Sequence, residues 1–82
     1  MADVIYKYGP IDPVMEYLTV KGRPVHIGLQ SGEIYIWCLC ATDFAEGERL
    51  VRLIATGEVY VGPYVGTVVM PSGLVWHLVE IY

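Results

Sequence analysis

Glycine or proline interrupts this chain roughly every ten residues, and β-branched and aromatic side chains fill the intervals. No segment reads as a long amphipathic helix, and the rhythm predicts an all-β chain of short strands. The first strand is predicted over Val4 to Tyr8, ended by Gly9-Pro10 and then Pro13, and the second over Met15 to Val20. After Gly22 and Pro24 comes a third over Val25 to Gln30, joined through Ser31-Gly32, a two-residue hairpin signal, to a fourth over Glu33 to Ala41. Thr42 to Glu48 reads as a solvated loop in which Thr42 or Asp43 caps at most one helical turn. The fifth strand covers Arg49 to Thr56, the sixth Tyr64 to Met70 and the seventh Leu74 to Tyr82, the last two joined by the turn Pro71-Ser72-Gly73. The expected fold is a small antiparallel sandwich or partly open barrel, one β domain over residues 1–82.

Strand alternation leaves too few polar faces. In the fourth strand Ile34, Ile36, Cys38 and Cys40 share one side, and Tyr35, Trp37 and Leu39 the other. Both are apolar, which predicts a central strand covered on both sides. In the seventh strand neither face is cleanly polar, while the fifth places Arg49 and Arg52 on opposite faces. Two small packed sheets cover only two of their four faces, so Trp37 and Trp76 are not both expected to be buried within one chain. With 55% hydrophobic and 17% charged residues, the composition points to a homo-oligomer or to a bound ligand that shields the remainder.

The charge is −4, from five basic and nine acidic residues, both dispersed. Counterion release from duplex nucleic acid needs a basic surplus, so that partner is disfavoured. Cys38 and Cys40 point to the same side of one strand, a poor geometry for a disulfide, and are expected as buried thiols. With only His26 and His77 besides, no metal ligand set is expected. Ser31 and Ser72 sit in turns, and no nearby carboxylate orients either histidine, so a catalytic site is not expected. Free thiols, a start without basic residues and the lack of a long apolar run predict a soluble cytoplasmic chain with no membrane partner and no cofactor.

Binding residues are easier to nominate. Glu58 to Tyr64 is a glycine- and tyrosine-containing stretch near the arginines of the fifth strand. Guanidinium forks bind phosphate and aromatic faces stack on bases. A small anionic nucleotide is thus a candidate ligand, with Arg49, Arg52 or Lys7 meeting phosphate and Trp37, Tyr60, Tyr64 or Trp76 walling a pocket between subunits. The competing reading pairs Arg49 and Arg52 with Glu46, Glu48 or Glu58 at the surface.

Ala55-Thr56-Gly57, Tyr64-Val65-Gly66-Thr67 and Leu74-Val75-Trp76-His77, with Ile5 to Tyr8 and Ile36 to Leu39, resemble a family of small phage and prophage proteins of unknown function. Ala55 stands where that pattern has glycine, and the loop after Gly57 lacks its histidine-proline pair. The resemblance brings no catalytic residues. It implies a phage accessory protein acting in the host cytoplasm against a host antiphage system. Sequestration of a nucleotide signal is one such action. Two others are inhibition of a host defence protein, such as a nuclease or CRISPR effector, and a structural role in the virion.

Overall fold

The computed structural model describes residues 2–14, 17–41 and 47–81. These form β1 (Asp3–Ile11), β2 (Leu18–Lys21), β3 (Arg23–Gln30), β4 (Glu33–Ala41), β5 (Glu48–Ala55), β6 (Tyr64–Val69) and β7 (Val75–Ile81). One sheet has the order β1-β4-β3 and the other β2-β5-β7-β6, with every pairing antiparallel. No helix among the described residues is long and apolar enough to cross a membrane. The expected helical turn at Thr42 or Asp43 lies outside the described residues, as does Met15.

Local chemistry explains the hairpins. Ser31 and Gly32 both adopt positive φ (52° and 77°), the geometry whose twist matches a two-residue β-hairpin. At the β6–β7 turn, the Gly73 amide donates to the Met70 carbonyl at 2.8 Å, and the Met70 amide donates to the Leu74 carbonyl at 2.7 Å. Strand ends depart from the local signals at two prolines. β3 begins at Arg23 and runs through Pro24, rather than starting at Val25. β1 continues through Gly9-Pro10, because a bulge between Tyr8 and Ile11 absorbs the proline and returns Ile11 to register with Ile34.

The core lies between the sheets. Ile34, Ile36 and Cys38 point inward from β4 and meet Val51, Leu53, Val68 and Leu78, with Val20 and Ile27 completing the layer. Burying each large aliphatic side chain contributes roughly 1.5–3 kcal/mol. β4 is central as expected, but its second face is not enclosed: Tyr35, Trp37 and Leu39 are only half-buried on the side away from the core. Trp76 turns inward from β7 and packs against the core. Cys38 and Cys40 are buried free thiols.

The two sides of the sandwich close differently. β3 and β6 approach closely, and a side-chain carbon on Gly66 would stand 2.9 Å from Ile27 Cγ2. Between β1 and β2 the sheets are joined by the Lys21 amide donating to the Tyr8 hydroxyl at 2.9 Å.

Topology supplies one more layer. β5 and β6 both flank β7, so the chain between them must cross it. Residues 58–63 form this strap on the outer face, where Val59, Tyr60 and Val61 gather with Arg52, Ile54, Val79 and Ile81. Ile54 and Val79 are 2% and 1% exposed although they point away from the main core. The strap therefore helps account, within one chain, for the lack of a cleanly polar face on β7. Gly62 permits its exit, since a side-chain carbon there would lie 2.1 Å from the Glu80 carbonyl oxygen and its φ is +120°.

Candidate functional site

The seven nominated residues do not converge on one pocket. Lys7 and Trp37 are cross-strand partners on the outer face of β1-β4-β3. Arg52 and Tyr60 line a groove of about 220 Å³ beneath the strap, and Tyr64 stands in register with Val79 beside it. Arg49 projects at the end of the core layer, and Trp76 lies within that layer.

Both arginines are already paired. Arg52 Nη2 meets Glu58 Oε2 at 2.6 Å, with both side chains more than a third exposed. That pair was one of the alternatives read from the sequence. Arg49 Nη1 meets Glu80 Oε1 at 3.0 Å, an interior carboxylate not named from the sequence; Glu46, one of the acids that were, lies outside the described residues. The Glu80 side chain is 9% exposed, and its charge is felt by Cys38. Burial first, and then that carboxylate, push the Cys38 thiol from 9.0 up to about 11, a group held neutral and unsuited to nucleophilic chemistry at ordinary pH.

His77 has hydroxyl partners where no carboxylate was expected. Thr67 Oγ1 lies 2.7 Å from its Nδ1 and Thr56 Oγ1 lies 2.8 Å from its Nε2. The Tyr64 hydroxyl is 2.6 Å from Thr67 Oγ1, extending the chain to four groups. Three separate sequence segments thus meet, and the arrangement stitches the end of β5 to β7 and β6. Among the described residues there is no cluster of His, Cys, Asp and Glu fit to hold a metal ion.

The outer face of β1-β4-β3 has another character. Strand register places His26 and Lys7 opposite Trp37 from the two flanking strands, and Gly28 opposite Tyr35. Two glycines seat the rings. A side-chain carbon on Gly28 would meet Trp37 Cζ3 at 3.4 Å and His26 Nε2 at 3.1 Å, and one on Gly9 would meet Tyr35 Cδ1 at 2.6 Å. The Trp37 ring is 5.4 Å from His26 and 6.3 Å from Tyr35, tilted by 48° and 49°. Lys7 Nζ lies 4.9 Å over the Tyr35 ring and donates to Gln30 Oε1 at 3.0 Å. Arg23, in register with Leu39, shares this face. Among the described residues neither Lys7 nor Arg23 has a carboxylate partner, in contrast to Arg49 and Arg52.

Tyr35, His26 and Arg23 were missed as candidates. The alternation of Tyr35 with Trp37 signalled the shared face, but nothing local revealed which residues of β1 and β3 stand beside them. No curated protein and no solved structure matches the chain. A family model does, over residues 1–82, and the chain belongs to that uncharacterised family, described as a domain of unknown function (DUF7352).

Proposed function

We propose that this protein is a non-catalytic binding module whose outer β1-β4-β3 face captures a small anionic nucleotide. One observation carries the reading: the half-buried Trp37 and Tyr35 rings share a sheet face with two cations, Lys7 and Arg23, that no described carboxylate neutralises. A base stacked on such a ring gains about 1–3 kcal/mol, and the flanking cations meet its phosphates. A chain of net charge −4 manages this because one ligand needs only local positive charge.

The resemblance to phage proteins supports a setting for this activity. In that setting the protein acts in the bacterial host's cytoplasm as an oligomer, withdrawing a nucleotide signal from a host defence system by stoichiometric binding. The alternative is a protein-binding inhibitor that captures a host protein through an exposed Tyr/Trp patch or an unpaired strand edge. Of these two modes, strand addition fits the edges poorly. β1 carries the Pro10 bulge, β2 spans four residues, β3 carries Pro24 beside a bulge, and β6 follows Pro63 and has its own irregularity. Such features obstruct pairing with an incoming strand.

Calorimetric titration of the full chain with cyclic dinucleotides and cyclic ADP-ribose derivatives tests the proposal. The expected result is saturable heat with at least one of them, quenching of tryptophan emission, and a roughly 10- to 100-fold weaker Kd in Trp37→Ala. Absence of heat with every ligand, at protein concentrations well above micromolar, defeats it.

A further inference from the structure

The outer face of the other sheet is built for a different contact. The strap that covers Ile54 and Val79 turns apolar side chains to water on its upper side: Val59 is 89% exposed and Val61 79%. Around them Leu50, Tyr60, Tyr64, Val69 and Tyr17 are also exposed. Lining contacts connect Tyr17 and the strap to Val79 and Ile81, and strand register adds Leu50 beside Ile81 and Tyr64 beside Val79. We infer that this face binds a second copy of the chain, forming a two-fold dimer with the straps at its centre.

Charge and area select that occupant. In a two-fold contact each patch meets its own image, so a patch with unbalanced charge would repel itself. Here Arg52 and Glu58 close on each other, and Lys21 stands in register with Glu48 at the corner. Of the described acids without an ion pair, Asp3, Asp12 and Glu33 belong to β1, the loop after it and β4, and Glu48 opens β5 opposite Lys21. A partner drawn by opposite charge would find little to grip on the strap face, whereas an identical neutral apolar surface meets no penalty. An uncovered aromatic side chain presents roughly 150–250 Å², so the exposed side chains together offer on the order of 700 Å². A standard interface takes about 800 Å² from each partner. Obstructed edges leave face-to-face contact as the available mode.

The dimer specifies the self-association within the proposed function and rests on that part of it. It places the two ring-and-cation faces on opposite outer sides, both open to ligand. Sedimentation equilibrium of the full chain up to roughly 100 μM is the test. The expected result is a particle of twice 9.2 kDa, with association weakened about 100-fold or more in the double variant Val59→Glu/Val61→Glu. Lys7→Glu, on the opposite face, should leave the dimer intact. A monomeric wild-type protein overturns the inference, as does a dimer that the strap variant leaves unweakened. Hydrogen exchange of the wild-type protein provides a second measurement that needs no variant. Amides of residues 58–63 should slow as concentration rises, and concentration-independent exchange there also counts against the dimer. Nucleotide titration separates the two ideas: a dimer that binds no nucleotide removes the ligand proposal alone, and a monomer that binds one removes the dimer alone.

Discussion

The two sheets present contrasting surfaces to water. On β1-β4-β3 the rings of Tyr35 and Trp37 rest over glycine backbone, and Lys7 and Arg23 have no described carboxylate partner. On β2-β5-β7-β6 the chain covers its own outer face with a strap, and the arginine there is held by Glu58. The difference shows that counting cations says little about where an anion will bind. An arginine held at 2.6 Å by a carboxylate must break that contact to serve a phosphate, whereas a lysine over a ring beside a neutral amide loses far less.

The largest test of this contrast removes the strap's anchor. In Gly62→Ala the new carbon would collide with the Glu80 backbone oxygen, and alanine is strained at φ +120°. Neither obstacle relaxes by side-chain rotation. The expected loss is about 3 kcal/mol or more in urea unfolding. Gly57→Ala is the control, because no atom lies within 4 Å and only the positive φ of +91° remains, for about 1 kcal/mol. Equal losses at both positions would mean that the strap is not fastened at Gly62.

Between the faces the core should behave as a dry layer, and Cys38 reports on it. Its folded thiol titrates near 11, above its ordinary 9.0, so between those values the unfolded chain has released a proton that the native chain retains. Stability must therefore fall as pH rises through this window, by up to about 1.4 kcal/mol per pH unit from this group. Below pH 9 the group contributes no slope. Chemical denaturation at a series of alkaline pH values should show this decline, with Cys38→Ala shallower than wild type. Parallel slopes would mean that water or charge reaches the layer.

Much of this architecture is legible locally, and the limits are instructive. Ser31-Gly32 and Pro71-Ser72-Gly73 announce their hairpins because positive φ and proline geometry are properties of a few adjacent residues. The start of β4 follows from the first of these cues. Gly9-Pro10 misleads because a partner strand tolerates a bulge that no local signal predicts. The lack of a cleanly polar face on β7 is legible, but its cause is topological: the strap crosses β7 only because β5 and β6 lie on either side of it. Among the site residues, Trp37 and Lys7 are visible as types, yet their adjacency arises from the β1–β4 register. Arg49 and Glu80 are thirty-one positions apart, so their pairing likewise waits for the sheet.

Gly28 offers the smallest and most selective perturbation. Its backbone does not require positive φ, so alanine is admissible there, and the contacts to be displaced are ring edges of Trp37 and His26 rather than backbone. At 3.1 Å the His26 ring must give by a few tenths of an ångström, while Trp37 at 3.4 Å stands at ordinary contact, so the cost to stability is about 1 kcal/mol or less. The ring-bearing face is a different matter, because a displaced His26 changes the ring against which Trp37 packs at 5.4 Å. Gly28→Ala should therefore weaken nucleotide binding about tenfold while its urea midpoint moves only slightly. A matching small substitution across the molecule, Thr19→Ala on the outer row of β2, should change neither quantity appreciably. If Gly28→Ala binds as tightly as wild type with Trp37 emission shifted, the rings are packing elements of the sheet and the cations alone recruit the anion. If emission is unshifted as well, the ring has tolerated the methyl group in place, and the seating by glycine is not what shapes that face.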